Sequence, residues 1–360
     1  MAREARMGIF YKDKNTFGLD IGHSSLKLMQ IDNTVKNPHV VGYGTVSFDS
    51  EAIDANGIVQ DPEALAKAIN ELISKSLVGK LTTKRVVVSL PNSNSFSRVI
   101  TLPQMNKKEL ADAVEAEVDQ SIPLTNDELY FDWEVAAQLE HDMQEIQIVA
   151  TPKKLVDSYM DVFDIVGLEV AALESNITAM TRIVIQSEAH DVSSLIVDIG
   201  SNACDISIYD GSAIRATGTV GSSSERMTKH IADTLGVSEE QAHRIKTRYG
   251  LEKSKKQDEI IAASEKELTK LVMEIKKVIR YYADRSRGSE PIGQIIILGG
   301  GANLPGLASY LTDKTRVPTR LCSPWNNISF GKLQPPHELE TTLYTTASGL
   351  ALVTKEDLVR

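Results

Sequence analysis

Two stretches of this chain alternate apolar and polar positions in the same way. In Leu195-Ile196-Val197-Asp198-Ile199-Gly200-Ser201-Asn202-Ala203-Cys204-Asp205-Ile206-Ser207-Ile208 an apolar run ends in Asp-Ile-Gly, passes through small polar residues and resumes with Ile206 and Ile208 between Asp205 and Ser207. The pattern predicts strand, tight turn and half-buried strand. Phe17-Gly18-Leu19-Asp20-Ile21-Gly22-His23-Ser24-Ser25-Leu26-Lys27-Leu28-Met29 repeats it. A third strand is predicted after each hairpin, at 40–48 and 213–221, with Gly44-Thr45-Val46 echoed by Gly218-Thr219-Val220. A helix follows each time. The first, 62–76, has Asp61 as N-cap, Pro62 at its first position, and Leu65, Ile69, Leu72 and Ile73 on one face. The second starts near Ser222, Ser223 and Ser224. A β-β-β-α unit present twice predicts internal duplication.

Between the halves the pattern changes. Strands are predicted at 85–91, 96–102, 129–135 and 145–150. A helix opens at the capping box of Asn106 and Glu109 and ends before Pro123, and another runs from Thr151-Pro152 to Gly167. Residues 86–168 thus form a small α+β body inserted into the first half. Residues 257–286 predict a long helix with Leu268, Leu271, Val272, Ile275, Val278, Ile279 and Tyr282 on one stripe, a core-facing helix of the second half or a coiled-coil face. The Lys253–Lys256 tract reads as a solvated loop.

With 360 residues, 42% hydrophobic and 24% charged, the chain has material for more than one globular domain. Its net charge of −10 argues against nucleic acid as a partner. No apolar run is long enough to span a bilayer, and the short charged leader, 1–16, lacks the apolar segment of a secretory signal. Two cysteines, Cys204 and Cys322, suggest neither a disulfide framework nor a zinc site, and a reducing cytoplasm fits best.

The candidate chemistry lies in the turns. Gly200 lets backbone approach a ligand, turn N–H groups can cradle an anion, and Asp198 can hold a hydrated Mg²⁺ bridging phosphates. One Asp-x-Gly after a strand is equally an ordinary hairpin; two matched copies predict a phosphate chain between two lobes. A third motif, Gln294-Ile295-Ile296-Ile297-Leu298-Gly299-Gly300-Gly301-Ala302, is a buried strand running into a glycine turn, with a helix expected after it. It is neither a P-loop, since no Gly-Lys-Ser/Thr follows, nor a dinucleotide fingerprint.

The three motifs, in this order and spacing, resemble the actin-like ATPase superfamily, with two phosphate hairpins and an adenosine loop. Within it the chain is most similar to the FtsA/PilM family and its type IV pilus assembly branch. Met7-Gly8-Ile9-Phe10, the run Ser24-Ser25-Leu26-Lys27, Pro324-Trp325 and the insert at 86–168 carry that likeness, the insert standing where the family has its 1C subdomain. The resemblance implies an α/β actin-like fold of two duplicated lobes with mixed sheets. The first lobe (1A) would comprise 17–85, 169–192 and 340–360, the second (2A) 193–228 and 290–339, and a helical subdomain (2B) 229–289.

It also implies ATP and Mg²⁺ as cofactors. Asp20 and Asp198 would face the metal. Gly22, His23, Ser24, Ser25, Gly200, Ser201 and Asn202 would cradle phosphates, with Lys27 either a phosphate contact or a surface strand residue. Gly299, Gly300, Gly301 and Ala302 would pack on the nucleoside. Gly221 and Ser222 fall at a Gly-Gly pair, so Ser222 is a departure. Glu225 and Lys229 match ribose-contacting positions or form an i,i+4 surface pair. Lys246 matches the Ala-Glu-x-x-Lys segment near the base, where His243 replaces the glutamate. Glu174 sits where relatives orient the attacking water, or caps a helix. The activity implied is ATP binding with at most slow hydrolysis.

The function implied is a cytoplasmic adaptor of type IV pilus assembly, serving twitching motility. It would bind the cytoplasmic N-terminal peptide of the inner-membrane protein PilN in a groove beside the insert. Val99, Ile100 and Leu102 are groove candidates or core of the insert. PilB/PilT-type motor ATPases and PilC are further implied partners, the position is the inner face of the cytoplasmic membrane through PilN, and a homo-oligomer is left open. Two other functions share the fold. A phosphotransferase would need a base beside the acceptor hydroxyl, for which no motif stands out. An FtsA-like division filament protein would carry a basic amphipathic tail, whereas 344–353 reads as a packed helix followed by a short acidic end.

Overall fold

The first aspartate stretch folds into strands β1 (Phe17–Ile21) and β2 (Ser25–Asp32), extended by β3 (His39–Ser47). The computed structural model describes residues 15–35, 37–187, 192–211, 213–285 and 291–358, so the leader expected over 1–16 lies, but for Asn15 and Thr16, outside the described residues. Helix α1 (Pro62–Lys75) begins as the sequence predicts, Asp61 accepting from the Ala64 N–H, and it buries Leu65, Ile69 and Leu72. A short strand β4 (Leu77–Gly79) pairs with β3 and was not legible, being three residues with an exposed face. Next comes β5 (Arg85–Leu90), whose residues 86–90 are all buried.

The insert follows as β6 (Phe96–Pro103), α2 (Lys107–Ser121), β7 (Leu129–Gln138) and β8 (Met143–Pro152). The chain returns through α3 (Lys153–Val166), β9 (Glu169–Ser175) and α4 (Asn176–Ser187). Gly167 ends α3 with φ of 72°, the left-handed cap a side chain resists. The second half contains β10 (Ser194–Ile199), β11 (Cys204–Tyr209), β12 (Ile214–Val220), α5 (Ser224–Leu235), α6 (Glu239–Tyr249) and α7 (Gln257–Arg285). It closes with β13 (Gln294–Leu298), α8 (Leu307–Thr315), β14 (Thr319–Leu321) and α9 (Thr345–Ala351).

The first sheet has strand order β4-β3-β2-β1-β5-β9 and the second β12-β11-β10-β13-β14. In each, an antiparallel three-strand meander lies beside two parallel strands, so the predicted duplication holds in topology. The period-2 alternation sends opposite faces to different cores. Leu195 and Val197 face the helices α5 to α8, while Ile196 faces the other way. Helices α4 and α9 lie between the two sheets in a shared core with Met29, Ile196, Ile296 and Tyr344. They cross so closely that a Cβ on Gly349 would overlap the Ala179 carbonyl.

The insert has its own sheet, β6-β8-β7, and its own core around Leu110, Val114, Val118, Ile146 and Ile148. Ile100 and Leu102 pack against that core, whereas Val99 lies outside it. The long α7 buries Leu268, Leu271, Val272, Ile275 and Val278 in the second core, the core-facing alternative for its stripe. The glycine turn after β13 leads first into a short 3-10 turn, Gly300–Asn303, and α8 begins only at Leu307. No helix among the described residues is long and apolar enough to cross a membrane.

Candidate functional site

Both aspartate hairpins open onto one cleft of about 830 Å³ between the lobes. The two turns are built alike: the Gly22 N–H donates to the Ser25 carbonyl at 3.1 Å, and the Gly200 N–H to the Ala203 carbonyl at 3.0 Å. Asp20 and Asp198 occupy equivalent places, one residue before Ile-Gly, and face the cleft. Asp20 accepts from Ser89 Oγ at 3.0 Å and lies 3.4 Å from Lys27 Nζ. Lys27 is its direct partner across the strands, so the salt bridge follows from register. In the second hairpin the same register puts Asp205 opposite Asp198. Asp205 accepts from Thr219 Oγ1 at 2.6 Å and from Asn176 Nδ2 at 2.9 Å.

Three carboxylates therefore share one cleft floor. Burial, joined by the fields of Asp205 and Asp20, pushes Asp198 up to about 7. Burial also raises Asp205, against the lowering effect of its hydrogen bonds from Thr219, Asn176 and Asn92. Such a floor favours a cation near Asp198. Among the described residues no set of three or more His, Cys, Asp or Glu side chains is arranged to hold a metal by itself. A hydrated Mg²⁺ has a lighter requirement, one or two carboxylates with phosphate oxygens, and the pair Asp20 and Asp198 meets it.

The third motif forms the far wall. Gly299 has φ of 81°, and a Cβ there would collide with Asp198 Oδ1, so only glycine lets the loop close on the second hairpin. Thr342 clamps this loop, donating from Oγ1 to the Gly299 carbonyl at 2.9 Å and accepting from Asn303 Nδ2 at 2.7 Å. Beyond it the cleft is apolar, lined by Leu268, Leu271, Leu304 and Leu307. A polar floor, a bare backbone shelf and an apolar end suit a phosphate chain attached to a flat base.

The structure brings most of the expected residues to this cleft. Asp20, Gly22, His23, Ser25, Lys27, Asp198, Gly200, Ser201, Asn202, Gly221, Ser222, Glu225, Lys246, Gly299, Gly300 and Gly301 all line it. Ser24 is not in the lining; its hydroxyl donates to Glu225 Oε1 at 3.4 Å, between the two lobes. Ala302 is buried at 2% exposure behind the shelf rather than on it. Lys229 is exposed and outside the cleft. Ser222 turns its hydroxyl away, donating to the Glu267 carbonyl at 2.9 Å.

Two further expected residues have their polar groups engaged inside the protein. Glu174 begins no helix and lies outside the cleft. It sits near the end of β9, and its carboxylate receives both Arg182 Nη1 at 2.6 Å and Nη2 at 2.8 Å. That fork, with Arg182 also donating to the Gly349 carbonyl, ties the carboxylate to α4 and α9, away from the cleft. Lys246 lines the cleft, but its three donors are already engaged, by the Ser224 carbonyl, Ser224 Oγ and Thr228 Oγ1 at 2.7–2.8 Å. It ties α6 to the first turn of α5, whose Ser224 and Glu225 N–H groups donate to the Gly200 and Ser201 carbonyls. Lys246 thus braces the second hairpin through α5.

Ser89, Asp205, Asn176, Thr219 and Thr342 are site residues that motif reading missed. Ser89 and Asp205 had a signal, each a polar side chain inside an otherwise apolar strand run; Asn176 and Thr342 come from segments distant in sequence and had none.

Two duplicated lobes, an inserted α+β body and paired aspartate hairpins across a cleft define the actin-like ATPase fold. The profile of type IV pilus assembly protein PilM matches residues 18–355. The chain belongs to that family, whose role is in type IV pilus assembly. Among solved structures it is similar to the PilM–PilN type IV pilus biogenesis complex, with TM-score 0.81 and 24% identity over 94% of this chain and 98% of that one. It also resembles MreB5 of Spiroplasma citri bound to AMPPNP, with TM-score 0.55 and 12% identity over 94% and 95%. Curated relatives include cell division protein FtsA of Streptococcus pneumoniae, 21% identical over 85% of this chain and 75% of that one. FtsA of Bacillus subtilis is 20% identical over 85% and 78%.

Proposed function

We propose that this protein is an ATP-binding adaptor of type IV pilus assembly, which takes Mg-ATP between its lobes and the cytoplasmic N-terminal peptide of a PilN-type membrane protein beside its insert. The observation that carries the nucleotide half is the convergence of Asp20, Asp198 and the Gly299–Gly301 shelf on one cleft. The AMPPNP-bound MreB5 of the same fold supports it, and the PilM–PilN complex supports the peptide half.

On this reading Asp20 and Asp198 hold the hydrated cation, the turns at 22–25 and 200–202 hold phosphates, and the glycine shelf holds the nucleoside. Mg²⁺ would supply charge neutralisation between phosphate oxygens. Lys27 stays paired to Asp20 until phosphate competes for its ammonium. Hydrolysis, where it occurs, is slow. The chain divides into two lobes, a helical part at 229–289 and an insert narrower than the 86–168 expected from sequence, because β5 pairs within the first sheet and α3 packs in the first lobe's core. We further propose attachment to the inner face of the cytoplasmic membrane through the PilN-type partner, the motor ATPases and PilC as more distant partners, and twitching motility as the process served.

Isothermal titration of a synthetic PilN N-terminal peptide, with and without Mg-ATP, tests it. Binding in either state is expected; none in both removes the adaptor assignment. The FtsA likeness favours one other reading, a nucleotide-dependent filament, which sedimentation with Mg-ATP would reveal as polymer.

A further inference from the structure

The insert is covalently part of the first lobe, entering after β5 and leaving through α3, which packs on α1. Its other neighbour is the second lobe. The edge strand β6 of the insert and the edge strand β12 of the second sheet approach within 8 Å, Cα to Cα. An ion pair crosses this boundary. Arg215 on β12 places Nη1 2.7 Å from Glu145 Oε1 on β8, the central strand of the insert, while its Nε lies 2.5 Å from Asp210 Oδ2 in the second lobe. All three side chains are less than 20% exposed. The other oxygen of Glu145 is buried and has no partner among the described residues, so the carboxylate depends on Arg215.

β12 has a second attachment at its opposite end. Thr219 donates to Asp205 on the cleft floor, and the strand runs directly into Gly221 and Ser222, which line the cleft. Ile208 of β11 pairs with Ala216 and Tyr209 with Ile214, so β12 carries an extra residue at Arg215, and the bulge re-aims that side chain out of the regular ladder. Arg215 lies about 13 Å along the strand from Thr219. One short element therefore touches the candidate nucleotide site at one end and the insert at the other. A rotation of the lobes must either break the pair of Arg215 with Glu145 or carry the insert along.

We infer that the ion pair of Arg215 with Glu145 is a latch that makes the insert follow the second lobe, so that nucleotide-driven movement of the lobes shifts the insert against the first lobe. The inference rests on the proposed function, because the nucleotide supplies the movement and the groove beside the insert receives it. Coupling of this kind is reciprocal, so peptide bound beside the insert would change nucleotide affinity by the same factor.

The test uses the full chain with spin labels at D112C on the insert and K67C on α1, both exposed positions, while native Cys204 and Cys322 are buried. Pulsed electron–electron resonance is recorded with and without Mg-AMPPNP, and nucleotide binding is measured on every sample. The label distance is expected to change on nucleotide binding in the parent and to stay constant in R215M and in E145Q. The double exchange R215E with E145R is expected to restore the change. Because E145Q keeps size and polarity, it reads the latch even where R215M folds poorly. A shift in E145Q equal to the parent's, or no shift in a parent that binds nucleotide, overturns the latch. A parent that binds no nucleotide overturns the proposed function, and the latch with it.

Discussion

Lys246 is a buried cation whose three donors are all spent inside the protein, and this has a measurable consequence. Burial lowers it from 10.5 to about 8. Between those values the unfolded chain binds more protons than the folded one, so stability rises with pH across that window, by up to about 3 kcal/mol. Urea midpoints followed from pH 7.5 to 10 are expected to show that rise in the parent and to lose it in Lys246→Met; equal slopes in both would refute the assignment. Asp198 and Gly299 give the residue tests of the cleft. Asp198→Ala is expected to weaken Mg-ATP binding at least about tenfold, or about 1.4 kcal/mol, by equilibrium titration. Gly299→Ala is expected to cost about 1–3 kcal/mol of folding stability, since its φ of 81° and the contact with Asp198 both exclude a Cβ.

Among the elements, hairpins and helix starts carry most of the information. Register alone sets Lys27 against Asp20 and Asp205 against Asp198, because one residue of slip would turn every side chain to the other face. The start of α2 is equally local. Asn106 Oδ1 accepts from the Lys108 and Glu109 N–H groups, and the Glu109 carboxylate accepts from the Asn106 N–H. Asn106→Ala is expected to destabilise the insert by about 1 kcal/mol. Hydrogen exchange would show faster opening of the α2 amides with second-lobe amides unchanged; equal acceleration in both would mean that the insert does not open separately from the lobes.

In the molecule as a whole, the shared core around α4 and α9 joins the two similar halves. A ligand gripped from both halves stabilises the closed arrangement and the fold together. Mg-ATP at a hundred times its Kd adds about 2.7 kcal/mol, expected as a rise of a few degrees in Tm that Asp198→Ala loses at the same nucleotide concentration. A Tm unmoved by Mg-ATP would mean that the folded protein does not bind it, and an equal rise in Asp198→Ala would place the nucleotide outside this cleft.

Local pattern was enough for the hairpins, the α1 and α2 caps, the left-handed stop at Gly167 and the repeated β-β-β-α run, because each depends on neighbours a few residues away. It also singled out the two aspartates and the glycine shelf, whose chemistry is written in residue type and spacing. The pairing of Glu174 with Arg182, the inward turn of Ser222 and the saturation of Lys246 were decided only by the assembled structure. Each depends on which distant segment arrives beside it in the fold, and no periodicity along the chain records that arrival. The meeting of β12 with the insert is of the same kind: an ion pair between positions 145 and 215 exists only once two separately folded sheets are set side by side.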